Sequence, residues 1–141
     1  MKNKKYKLEL THKQLSVIQE ACEFMSRFSA GQFQYFPPSL INQLYKKWGY
    51  TEEYYRRREI WDIHLKYAKN AMFDFDPNES LGIGSPELSE EAKICYDIYR
   101  PILEEFDQEY QTANPDNLSY SVYSHEGLSY SKEGRITIKT E

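Results

Sequence analysis

The sequence predicts an α+β fold: a helical body of about four helices, closed by a small, mostly antiparallel sheet that joins the N-terminal strand to C-terminal hairpins. Three observations predict it. Apolar residues recur every three or four positions through most of residues 11–111, the period of a helix with one buried face. Tyr6, Leu8 and Leu10 alternate with Lys5, Lys7 and Glu9, the period of a half-buried strand. After NPDN the segments LSYSVYS, GLSYS and RITIK alternate and are rich in β-formers, with HEG and KEG between them as tight turns.

Taken in order, the N-terminal strand gives way at THKQ. Thr11 and Gln14 have the spacing of a capping box, so a helix begins there. Leu15, Ile18, Cys22 and Met25 form one apolar row and Val17, Ala21, Phe24 and Phe28 a second, so this helix is expected to bury a broad apolar face. Gly31 supplies the left-handed residue that ends it. QFQYFPP is aromatic and ends in two prolines, hence a loop. Ser39 caps a short helix with Leu40, Ile41, Leu44 and Trp48 inward, closed by Gly49. Thr51 caps a third helix over roughly 52–72, with Ile60, Trp61, Ile63, Leu65 and Met72 as its apolar surface and Arg56, Arg57, Arg58, Lys66 and Lys69 on its polar side. FDFDPNES is a break. Leu88, Ala92, Cys95, Tyr99, Ile102, Phe106 and Tyr110 then mark a long helix from about 86 to 111, with Ser85 and Pro86 at its start. Pro101 in its middle removes a backbone hydrogen bond, which predicts a kink near 96–100 or two abutting helices.

The 141 residues are expected to form one domain, 1–141. No apolar run approaches the about 18 residues of a membrane span, and the basic start MKNKKYKLEL lacks the apolar core of a secretory signal. The expected compartment is the cytoplasm, where Cys22 and Cys95 stay free thiols inside helical patterns. The net charge of −4 is unevenly spread. Residues 1–70 carry 13 Lys/Arg against 7 Asp/Glu, and residues 71–141 carry 5 against 15. Either the halves attract each other or a partner subunit, or the first half offers a basic face to an anion. An acidic protein is a poor fit to a nucleic-acid polymer. The 13 tyrosines supply stiff rings with polar tips, suited to core and contact surfaces.

Catalytic and metal chemistry find no foothold. His12, His64 and His125 lie on different elements, and no cysteine pair has ligand spacing, so no metal and no cofactor are expected. No serine sits in a nucleophile-elbow motif. The adjacent pairs Glu90/Glu91 and Glu104/Glu105 read as solvated helix faces. SLGIGSPELSEEAK lacks the GK[ST] of a phosphate loop and is not a dinucleotide fingerprint. Glu87, Glu90 and Glu91 would repel an anion placed at the helix start. Gly82, Ile83, Gly84 and Ser85 therefore make either a structural turn or a backbone that a ligand approaches closely.

Among the cations, Arg56, Arg57 and Arg58 span most of a helical turn and cannot all face one ligand. One or two of them pair with Glu52, Glu53 or Asp62. Arg27 precedes Gly31, Gln32 and the rings of Phe33, Tyr35 and Phe36. It would grip a phosphate while the rings stack on a base, or else pair with Asp97 or another helix carboxylate.

Two stretches, LTHKQLSVIQEACEFMSRFSAGQF and SLGIGSPELSEEAKICYDIYRPI, carry a resemblance. They are similar to a family of small phage and prophage proteins with patterns like YSRxGxGQF and SYGIxSPE…AKxxYDIYQ. The resemblance covers roughly residues 6–36 and 80–103. The matched positions are Ser26, Arg27, Gly31, Gln32, Phe33, Gly82, Ile83, Ser85, Pro86, Tyr96 and Asp97. This chain departs at Phe24-Met25 and Phe28-Ser29, where the family has Leu-Tyr and Ile-Gly, and at Leu81, where a tyrosine is common. By analogy, the resemblance implies a counter-defence protein. The expected function is a non-enzymatic, oligomeric sponge that sequesters a nucleotide-derived immune signal, a cyclic nucleotide or an ADP-ribose derivative. Arg27 and Lys93 would contact phosphate. Phe33, Tyr35 or Tyr96 would stack on the base. Gln32 and the backbone of Gly82, Ile83, Gly84 and Ser85 would read the ligand's edges. The alternatives are an inhibitor that docks on a host defence enzyme through the acidic half, and a small phosphodiesterase that degrades the signal. The sponge reading requires the turns at Gly31 and Gly82 to meet around a cationic, ring-lined hollow.

Overall fold

Thr11 starts the first helix as its spacing requires. Its N–H donates to Gln14 Oε1 at 2.9 Å, and the Gln14 N–H donates back to Thr11 Oγ1 at 3.2 Å. In the computed structural model, which describes residues 4–116 and 127–141, four helices follow one another. They are α1 (His12–Ser29), α2 (Pro38–Trp48), α3 (Glu52–Phe73) and α4 (Glu90–Ala113). Gly31 (φ 84°) and Gly49 (φ 67°) turn the chain out of α1 and α2 in backbone conformations that favour glycine. Thr51 caps α3, its hydroxyl accepting the Tyr54 N–H.

The described residues contain no strand, so the fold is helical and the expected sheet is not formed. The reason lies in where the would-be ladder donors go. The backbone N–H groups of Tyr130 and Ser131 donate to the Asp97 carboxylate of α4 at 3.0 and 2.8 Å. The Ser129 and Ser131 hydroxyls bond the same group. Lys132 N–H donates to Glu90 Oε1 at 2.6 Å, and Ile136 N–H to the Asp97 carbonyl at 3.3 Å. GLSYS and RITIK are thus bound along α4 rather than paired with each other. At the other end, Tyr6 and Leu8 stand in solvent, so their alternation has no partner edge to meet. LSYSVYS and most of the HEG turn lie outside the described residues.

Helix boundaries shift in two places. Ser85 and Pro86 open a turn, closed by Leu88 N–H on the Ser85 carbonyl at 3.2 Å, and the N-cap of α4 is Ser89. The α2 helix begins at Pro38 behind Pro37, one residue before the expected Ser39 cap. Pro101 lies inside α4, which runs through it as one helix.

The packing corrects the reading of α1. Its buried residues are Gln19, Glu23 and Ser26, while Val17 and Met25 are exposed. This polar face packs against α4, whose Ala92, Tyr96, Asp97, Tyr99 and Ile102 are buried. Of the expected apolar rows, Leu15, Ile18, Cys22, Phe24 and Phe28 are half-buried beside this polar face, and Val17, Ala21 and Met25 are left exposed. The apolar core proper is small: Ala30, Leu88 and Ala92, with Leu81 and Ile83 against it. A chain of rings extends it, Phe28 stacking on Phe33 at 4.0 Å, Phe33 meeting Phe73 edge-on at 5.8 Å, and Phe73 stacking on Phe75 at 5.2 Å. No helix among the described residues is long and apolar enough to cross a membrane.

Candidate functional site

The two turns meet. Leu81 N–H donates to the Ala30 carbonyl at 2.8 Å, which seats the residues before Gly82 against the end of α1. Gly31 makes this junction tight. A Cβ there would stand 3.3 Å from Phe75 Cδ2 and 3.8 Å from Lys69 Cε. Glycine therefore allows the end of α3 and the following segment to close over the α1 terminus.

Arg27 is engaged within its own neighbourhood. Its Nε donates to Glu23 Oε1 at 3.2 Å and its Nη1 to Gln32 Oε1 at 2.8 Å. Its guanidinium lies over the Tyr35 ring, 4.7 Å from the centroid. Glu23 is the hub: it also accepts Gln19 Nε2 at 2.7 Å and the Tyr35 hydroxyl at 2.8 Å. Burial first, and the Glu23 hydrogen bond second, raise the Tyr35 phenol above its ordinary range. The carboxylate partner of Arg27 is Glu23 and not Asp97, and Arg27 holds Gln32 and Tyr35 in place. Its side chain is 37% exposed, so one edge of the guanidinium still faces solvent.

Beside this group lies a hollow of about 250 Å³ lined by Gln32, Phe33, Gln34, Tyr35, Lys69 and the segment Pro77–Ser80. Lys69 comes from α3; the sequence pattern sets it on the polar side of that helix, and the fold buries it. It is 6% exposed, and its Nζ donates to the Pro77 carbonyl at 2.8 Å. No carboxylate of the described residues stands within ion-pairing distance of it. An ammonium carries three donors, and the Pro77 carbonyl takes one of them. Burying a cation without a counter-charge is costly, and an anion would offset that cost. The Glu79 carboxylate, also at the rim, accepts the Asp76 N–H at 3.2 Å.

The other expected contacts are placed as follows. Phe33 is 2% exposed and stacked on Phe28, so it forms a wall of the hollow and offers no free face for a base. Tyr96 is buried, edge-on to both Tyr99 and Tyr130. Ile83 packs on the core, Gly82 and Gly84 are exposed, and the Ser85 hydroxyl accepts the Glu87 N–H at 3.2 Å. These four residues form a structural turn outside the lining of the hollow. Lys93 is half-buried on the first turn of α4, also away from it. Of the expected site, Gln32, Phe33 and Tyr35 are brought together with Lys69, and Arg27 supports them from behind.

The three arginines of the α3 run are engaged on their own helix. Arg56 and Arg57 both pair with Glu53, at 2.8 and 2.7 Å, and their hydrogen bonds lower the Glu53 carboxyl below its ordinary range. Arg58 reaches the Tyr54 hydroxyl at 3.4 Å. Cys22 and Cys95 are free thiols on facing helices. Burial and the neighbouring Cys95 push Cys22 up to about 12, so it stays protonated and unreactive. Among the described residues no group of three ligating side chains converges as a metal site. Comparison with family models, with curated proteins and with solved structures finds no match to this chain.

Proposed function

We propose that this chain is a non-catalytic binding protein that sequesters a small nucleotide-derived anion, acting as a phage counter-defence sponge for a cyclic nucleotide or ADP-ribose-type signal. The observation that carries the reading is the buried Lys69 ammonium, without a carboxylate partner, at a hollow rimmed by the amides of Gln32, Gln34 and Asn78. A phosphate there takes the unused ammonium donors, and the amides take its remaining oxygens. The exposed side of Arg27 adds positive potential from behind Gln32. Tyr35 is the ring left at the edge of the hollow for contact with a sugar or base. At about 250 Å³ the hollow holds one phosphate-bearing portion of such a ligand, with the rest lying over the rim. Retention needs affinity alone, and the cluster supplies charge and hydrogen bonds, with the Glu79 carboxylate at the rim engaged by the Asp76 N–H.

The test is depletion and release. The protein is incubated with a cyclic dinucleotide, a cyclic trinucleotide or an ADP-ribose derivative, and the free ligand is measured before and after heat denaturation. Depletion followed by recovery of intact ligand is the expected result. Permanent loss of ligand would show a degrading enzyme, and no depletion by any of the three would overturn the reading. Lys69→Met is expected to keep its helical circular dichroism and to lose depletion.

A further inference from the structure

The α3 helix carries an unpartnered stripe that ligand binding does not use. Ile60, Ile63 and Tyr67 are 45%, 52% and 73% exposed. With Arg56 before them and Asn70 after, they are spaced by four, three, four and three residues. That period keeps one seam in line along a helix, as in a coiled coil.

Charge identifies the partner. Glu59 and Lys66 flank the stripe on the same side, one heptad apart. If two α3 helices pair antiparallel about a two-fold axis, Ile60 of each copy meets Ile63 of the other. Glu59 of each then faces Lys66 of the other, and Tyr67 faces Arg56. Both ion pairs form at once because the pattern is self-complementary. In a parallel pair Glu59 would instead face His64, and Lys66 would face Ala71. Glu59 makes no ion pair among the described residues, and Lys66 holds Asp62 at 3.2 Å on the open surface.

We propose that two copies of this chain associate through this α3 seam in an antiparallel arrangement, with reciprocal Glu59–Lys66 pairs on either side of Ile60 and Ile63. The surface is distinct from the Lys69 hollow, so the two readings fail independently. Sedimentation of the full chain tests it, one copy being 16.8 kDa. Wild type is expected at twice that mass at micromolar concentration. Glu59→Lys and Lys66→Glu are each expected to weaken the dimer roughly tenfold, and the double exchange to restore it. Ile63→Glu is expected to give single copies with unchanged helicity. Wild type sedimenting as one copy would overturn the proposal. So would a double exchange that stays as weak as the single ones, since only the antiparallel pairing predicts rescue.

Discussion

Glu23 shows what one buried carboxylate commits a helix to. It accepts from Gln19, Arg27 and Tyr35, and so ties the buried polar face of α1 to the loop that follows it. Arg27→Ala would leave that carboxylate short of its cation. The expected loss is about 1–2 kcal/mol, discounted because Arg27 is partly exposed, and a urea midpoint measures it. Adding Glu23→Gln to that variant should recover part of the loss, because the buried group is then neutral. Cys22 gives a pH signature. Its folded value lies above the ordinary 9.0, pushed up to about 12 by burial and by Cys95. The folded state therefore holds this proton more tightly. The contribution to stability is complete below pH 9 and declines as pH rises towards 12. Urea midpoints across that window should fall less steeply in Cys22→Ala than in wild type. At this scale Arg27, Gln32 and Tyr35 were legible in the sequence because they are neighbours along the chain. Lys69 was not, because one lysine on a helix looks like any other until the fold buries it.

Among the elements, the helix starts at Thr11 and Thr51 and the turns at Gly31 and Gly49 were legible, since caps are short-range chemistry. The start of α4 was misplaced because Ser85-Pro86 and Ser89 both have the local form of a cap, and tertiary packing chose the second. The sheet was misread for a longer-range reason. Alternation in GLSYS and RITIK marks an extended chain but does not say what will bind its N–H groups, and here the Asp97 carboxylate does. Asp97→Asn replaces charge-assisted bonds with neutral ones and one former acceptor with a donor. A loss of about 2–3 kcal/mol is expected. Hydrogen exchange should report it as faster exchange at the Tyr130 and Ser131 amides, with the amides of α1 unchanged. Slow exchange at both in the variant would show that the C-terminal segment is held by other contacts.

For the molecule as a whole, composition was a better guide to chemistry than to shape. The aromatic excess reappears as the Phe28–Phe33–Phe73–Phe75 chain and as the Tyr45, Tyr50, Tyr54 and Tyr55 cluster between α2 and α3. The charge asymmetry is not cancelled by the arginine and lysine ion pairs among the described residues, since Glu53 receives two arginines within the basic half and Glu104 receives Arg135 within the acidic half; His12 and Glu109, 3.7 Å apart, join the two. Among the described residues, Lys69 is a buried cation without a carboxylate beside it, and the Ile60–Ile63–Tyr67 face of α3 is exposed. The central claim concerns the first. Thermal denaturation of wild type and Lys69→Met, with and without each nucleotide of the panel, tests it most directly. One ligand should stabilise the wild type by about 2.7 kcal/mol at a hundredfold excess over its dissociation constant, and should leave Lys69→Met unshifted. Equal stabilisation of both proteins, or none of either by any ligand, would contradict it.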